Sequence, residues 1–202
     1  MTDQLLTKTD PSEFEIEDGV LVKYRGSSPE VVVPHGVKVI GDKAFWLSRT
    51  LTSVILPDTV TDIGEYCFHD CRALERVVLP PSLVSIGYRA FSSCELLREI
   101  TIPDSVKRIV SESFRLCNSL REIDLPASLL LSGEHAFRGC HGLETVRVPA
   151  GLRKDALGRH LFSGCPAITS ITIPRIFKPR IREIFSGVKI GLFSKVKVTY
   201  LD

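Results

Sequence analysis

Pro57-Asp-Thr-Val60-Thr-Asp-Ile63-Gly64-Glu-Tyr-Cys67-Phe68-His-Asp-Cys71-Arg-Ala-Leu74-Glu-Arg-Val77-Val-Leu79 is one copy of a unit that begins again at Pro80. Around it, cysteines fall at 71, 94, 117, 140 and 165, and phenylalanines at 45, 68, 91, 114, 137, 162 and 185. Prolines at 34, 57, 80, 103, 126, 149 and 174 keep the same register. Three residue types thus share a spacing of 23, stretched to 25 near the end, and six copies fill residues 34–173. A period of this size signals a solenoid, because each unit is one supersecondary piece that buries its apolar face only against its neighbours.

The segment before each proline alternates: Val54-Ile-Leu56, Val77-Val-Leu79, Ile100-Thr-Ile102, Ile123-Asp-Leu125, Val146-Arg-Val148 and Ile171-Thr-Ile173. Apolar outer positions around a variable middle one are the period of two expected of a strand with one face in the core. The chain runs in the same direction in every copy, so the strands stack in parallel, and proline ends each one by removing a ladder donor. Glycines at 41, 64, 87, 133 and 158 mark a turn towards an Ala-Phe-x-x-Cys corner, whose spacings fit a short helical or 3₁₀ turn.

The pattern Leu-x-x-Ile-x-Leu-Pro-x-x-Val-x-x-Ile-Gly-x-x-Ala-Phe-x-x-Cys resembles the BspA-like, or Treponema pallidum-type, leucine-rich repeat, over about residues 14–173. That resemblance implies an α/β repeat solenoid: a right-handed superhelix with a parallel concave β-sheet and short helical or 3₁₀ turns on the convex side. It also implies a bacterial protein used for protein binding, and in many relatives for surface adhesion.

Composition agrees. The chain has 202 residues, 44% hydrophobic and 25% charged, with a net charge of +2, which argues against disorder and gives no general reason to expect nucleic acid as a partner. No run approaches the ~20 apolar residues needed to cross a bilayer. The start, Met1-Thr-Asp-Gln-Leu-Leu-Thr-Lys-Thr-Asp-Pro11, lacks the basic and apolar regions of an export signal. The chain as given therefore reads as cytoplasmic, with a secreted or cell-surface location as the family alternative.

Both ends depart from the repeat. Phe14-Glu-Ile16-Glu-Asp18-Gly19-Val20-Leu-Val22-Lys-Tyr24 alternates on both sides of Asp-Gly, a strong hairpin signal, so residues 1–33 are expected to hold a capping hairpin and the first strand. Residues 174–202 keep Pro174 and Phe185 but put Val188 where cysteine is expected, and read as a degenerate closing repeat ending in Val196-Lys-Val198. The three parts, 1–33, 34–173 and 174–202, are expected to make one continuous domain. The last carries seven basic and two acidic side chains, which reads as a solvated cap or a patch for an acidic partner.

Candidate chemistry is sparse. The cysteines occupy a core register and read as buried free thiols, with Cys67 in the slot of Ala44, Ala90 and Ala136. Cys67-Phe-His69-Asp-Cys71 and the group His135, Cys140, His141 hold potential metal ligands but lack a second ligand pair at zinc spacing. No nucleophile, phosphate-loop, zinc-protease or dinucleotide motif is present, so no enzyme, metal or cofactor is expected.

Specificity is then assigned to the variable positions of the strands. The middle residues form the column Val32, Ile55, Val78, Thr101, Asp124, Arg147, Thr172, Lys197, and two residues earlier runs Glu30, Ser53, Arg76, Glu99, Glu122, Thr145, Ser170, Lys195. Side by side, Val32, Ile55 and Val78 make an apolar third; Glu99, Glu122 and Asp124 an acidic middle; Arg147 and Lys197 a basic end. The candidate partner site comprises Val32, Ile55, Arg76, Val78, Glu99, Thr101, Glu122, Asp124, Thr145, Arg147 and Thr172. The same β-branched residues also suit plain sheet stabilisation. The leading expectation is a monomeric, non-enzymatic scaffold that binds a protein or peptide on the concave sheet, without nucleic acid and without membrane insertion. The alternatives are an adhesin-type module for host or envelope components, and a metal or thiol enzyme.

Overall fold

The alternation before each proline does form strands, and the computed structural model, which describes residues 10–190 and 195–202, stacks them in parallel as a β-solenoid. The part of the expected N-terminal cap at residues 1–9 and the part of the closing repeat at residues 191–194 lie outside the described residues. Glu30–Val32, Ser53–Ile55 and Arg76–Val78 pair in register, as do Glu122–Asp124, Thr145–Arg147, Ser170–Pro174 and Lys197–Leu201. Between these two sets a single bridge, Arg76 to Glu99, remains, so Thr101 stands outside the hydrogen-bonded ladder it was expected to join. The last rung is also shifted: Ser170 faces Lys197 and Thr172 faces Thr199, two residues later than the sequence columns placed them. The closing repeat holds extra residues, and a slip of two keeps the apolar partners Ile171 and Val198 on the core side.

A second parallel ladder was not legible in the sequence. Val39–Ile40, Asp62–Ile63, Ser85–Ile86, Arg108–Ile109 and Leu131–Ser132 pair coil to coil. Two-residue strands are too short to show an alternation. The glycine after most of them serves close approach rather than a turn: a Cβ on Gly87 would lie 2.7 Å from the Gly64 carbonyl carbon, and one on Gly64 2.7 Å from the Asp42 nitrogen. This ladder begins with an antiparallel hairpin, Phe14–Glu17 with Val20–Tyr24, turned at Asp18 and Gly19, which both have positive φ.

At the Ala-Phe-x-x-Cys corner the expected helical turn is replaced by a ladder of turns. Ala44, Trp46 and Ser48 donate back three residues within their own coil, whereas Lys43, Phe45 and Leu47 donate to Glu65, Cys67 and His69 of the next. The alternation arises because two residues per coil, such as Lys43 and Leu47 or Tyr66 and Asp70, take left-handed φ. A helix would point all its N–H groups along its own axis and leave the coils unjoined on this side. The same arrangement recurs up to Gly164, which donates to Ser186. The longest helical stretch among the described residues is in the closing repeat, Arg175–Arg180 running into Ile181–Ile184. No helix among the described residues is long and apolar enough to cross a membrane.

Inside the three ladders lies a column of phenylalanines. Phe45, Phe68, Phe91, Phe114, Phe137, Phe162 and Phe185 are fully buried and stack nearly parallel, with centroids 4.9–5.2 Å apart. Tyr24 extends the stack into the hairpin at 5.1 Å. Beside it run the cysteines, all six free and buried.

Candidate partner-binding face

The middle residue of each strand points away from the core because successive side chains alternate. Val32, Ile55 and Val78 are therefore aligned in adjacent rungs, each half-buried, on a row whose flanking residues Val31, Val54 and Val77 are buried. Thr145 and Thr172 are half-buried as well, and Arg76, Glu99, Thr101, Glu122, Asp124 and Arg147 are exposed. The pairing brings the first three together, and separately brings Glu122, Asp124, Thr145, Arg147 and Thr172 together; Glu99 and Thr101 stand between the two groups.

The acidic middle and the basic end are not separate regions. Arg147 reaches across one rung and donates to Asp124 at 2.8 and 3.2 Å and to Glu122 at 3.3 Å. The bonds it donates to Asp124, and then to Glu122, hold its guanidinium firmly protonated. A second row of cross-coil pairs lies one residue before the strands, Arg121 to Glu144 at 2.8 Å and Arg98 to Glu75 at 3.7 Å. Such exposed pairs contribute only about 0–1 kcal/mol each, so they shape the charge pattern more than the stability. Arg98 and Arg121 were missed in the sequence because only the strand positions were tallied; their recurrence 23 residues apart was the available signal.

The thiols do a structural job. Cys71, Cys94, Cys117 and Cys140 each donate to the carbonyl of a phenylalanine in the preceding coil, at 3.0–3.2 Å. Burial pushes the Cys71 thiol up to about 12 and raises Cys94 and Cys140 well above the ordinary range, which keeps these groups protonated as donors. A second rung was also missed: Thr59, Ser82, Ser105 and Ser128, two residues after their prolines, donate to carbonyls of the preceding coil at 2.6–2.7 Å. Glycines at 36 and 151 interrupt that column, which hid it.

The histidines go elsewhere. His69 packs edge-on against Tyr66, His135 stacks on His160 at 5.4 Å, and His141 bonds Asn118 at 2.9 Å. Among the described residues no three His, Cys, Asp or Glu side chains converge on a common point.

A family model described as BspA type leucine rich repeat region matches residues 38–166 and 111–193, in six copies. Among solved structures, a T. pallidum leucine-rich repeat protein is similar with a TM-score of 0.78 at 28% identity, over 90% of this chain and 98% of that one. A leucine-rich repeat protein from Bacteroides ovatus is similar with a TM-score of 0.69 at 34% identity, over 80% of this chain. The match spans only 45% of that protein. The pneumococcal vaccine antigen PcpA, at 15% identity and a TM-score of 0.53, over 94% of this chain and 46% of its own, shares the fold. No curated protein matches.

Proposed function

The chain belongs to the BspA-type leucine-rich repeat family, and from that premise we propose that it is a scaffold that holds a partner protein or peptide on the face of its three-residue strands. Repeat modules of this family are generally protein-interaction modules and typically non-enzymatic. The observation that carries the reading is the contiguous row Val32, Ile55 and Val78, half-buried and in register, next to a charged surface: an apolar anchor with a polar rim. The other candidate residues, from Arg76 to Thr172, form that rim.

The test is affinity capture from cell lysate and from surface extracts with the wild type and with the double variant Ile55→Asp, Val78→Asp. Captured partners are expected to be lost in the variant while its circular dichroism spectrum and melting cooperativity are retained. Unchanged capture by a folded double variant would sink the reading.

A further inference from the structure

The break in the three-residue ladder lies in the middle of the proposed face. Elsewhere the N–H just after a strand bonds the next coil: Val33 to Ile55 at 3.0 Å, Leu56 to Val78 at 3.2 Å, Leu125 to Arg147 at 2.9 Å and Val148 to Thr172 at 2.8 Å. The equivalent groups of Leu79 and Ile102 make no such bond among the described residues. At the start of the strands, Ser53, Arg76, Thr145 and Ser170 donate to the preceding coil, whereas the Glu122 N–H, which should meet the Arg98 carbonyl, does not.

Beneath the break the molecule is intact. Phe91, Phe114 and Phe137 keep their spacing of 5.1–5.2 Å, and Ser85 to Arg108 and Arg108 to Leu131 remain paired in the second ladder. The opening is therefore superficial. Three clefts meet there: one of 410 Å³ between Arg76–Val78 and Glu99, one of 110 Å³ between residues 100–102 and the next coil, and one of 520 Å³ that runs from Arg98 and Glu99 across Glu122 to Glu144 and Thr145.

Glu99 borders the two larger clefts, and its carboxylate has no ion pair or hydrogen bond among the described residues. The neighbouring acids are already engaged, Glu122 and Asp124 by Arg147 and Glu144 by Arg121. We propose that this interrupted rung is the seat of an extended peptide segment of the partner, with an arginine or lysine side chain placed on Glu99. This rests on the reading of the same face as the partner surface.

The unbonded N–H groups of Leu79, Ile102 and Glu122 lie on three different coils, so they offer single contacts to a side chain entering between coils and not a strand edge. The retained core spacing leaves no room for a whole strand between coils, since that needs two inter-strand distances of about 4.8 Å. The segment lies over residues 99–102 and only its side chain enters a cleft. A guanidinium suits both a carboxylate and the Arg98 and Thr101 carbonyls that do not receive the Glu122 and Leu79 N–H groups, because it carries five donors and no acceptor. The Arg76 guanidinium, paired across from Glu99 in the one remaining bridge and without an ion pair among the described residues, is left to bond the segment's own carbonyls.

The probe is the capped peptide Gly-Gly-Arg-Gly-Gly, titrated into ¹⁵N-labelled protein, with its citrulline counterpart as the uncharged control. Saturable shifts of the Leu79, Ile102 and Glu122 amides are expected, weakened about tenfold or more in Glu99→Gln and with citrulline. Absence of saturable shifts, shifts centred elsewhere, or equal affinity in Glu99→Gln would overturn the proposal. Hydrogen exchange adds a measurement that needs no variant: Leu79 and Ile102 should exchange far faster than Leu56 and Val148, and equal protection would also overturn it. Lysate capture by Ile55→Asp alone reads a different part of the face, since Ile55 borders none of the three clefts. Capture lost there without peptide shifts defeats the seat alone; peptide shifts with unchanged capture defeat the apolar anchor alone.

Discussion

Asp70 shows how much a single position can carry in this fold. Its backbone is left-handed, with φ of 59°, which Asp and Asn tolerate better than most residues. Its carboxylate accepts from Arg72 at 2.7 Å and Arg49 at 2.9 Å. Burial alone would lift the carboxyl, but the bonds from Arg72 and Arg49 outweigh it and hold Asp70 below the usual range. A carboxyl depressed in the folded state stabilises above its unfolded value near 3.9, and that stabilisation is lost as pH falls through the folded value. Asp70→Asn keeps the backbone preference and removes the charge, so it should cost about 1 kcal/mol at neutral pH. In urea titrations the gap between the two proteins should close as pH falls below the ordinary carboxylate range and through the depressed folded value; a constant gap at all pH values would show that the charge is not what matters. At this scale the sequence was legible where a residue type repeats, as with the phenylalanines and cysteines. It was silent where a role depends on backbone handedness, as at Asp70.

The strand, the glycine step and the turn are held by different forces, and only the first announces itself as a pattern. Val54, Val77 and Val146 alternate with half-buried or exposed neighbours and could be read directly. The two-residue strand at Ser85–Ile86 could not, since its presence depends on how near Gly87 can come to the coil before it. Gly87→Ala puts a methyl 2.7 Å from the Gly64 carbonyl carbon and oxygen, both backbone atoms that cannot swing aside. A loss of about 1–3 kcal/mol is expected from overpacking. Gly36→Ala, with nothing within 4 Å but a φ of 94°, tests strain instead of contact. Chemical denaturation of the two variants separates the mechanisms, and a neutral Gly87→Ala would mean that the coils can move apart. The expected short helical or 3₁₀ turn is met only in its three-residue bonds: a spacing of three and four fits either a helical turn or an alternating turn, and the choice is made by bonds to the next coil.

Over the whole molecule, each coil contacts its two neighbours and little else, so stability is a chain of interfaces. Phe114 sits between Phe91 and Phe137 at interplanar angles of 5° and 2°, next to the interrupted rung. Phe114→Ala should cost about 3–5 kcal/mol and split a single melting transition into two. Phe185→Ala, nearer one end, should fray that end and leave one transition. Calorimetry distinguishes them, and a single sharp transition for Phe114→Ala would mean that the coils do not fold as separable neighbours. The turn ladder has a further effect at this scale. The peptide group that accepts from Lys43 through the Glu65 carbonyl donates through the Tyr66 N–H to Tyr88, and the line continues through Arg89, Glu112, His135 and His160 to Glu183. Two more such lines pass through Phe45 and Leu47. Every bond points the same way, whereas those of the parallel strands alternate in direction. Peptide dipoles of about 3.5 D therefore add head to tail, as in an α-helix laid along the solenoid. The positive pole faces the closing repeat, with its seven basic side chains, and the negative pole faces the hairpin that carries Glu13, Glu15, Glu17 and Asp18. Side-chain charge and backbone polarisation thus reinforce one another, and the solenoid behaves as a bar with an electrical heading. A charged partner approaching through solvent is turned to one orientation before any side chain touches it.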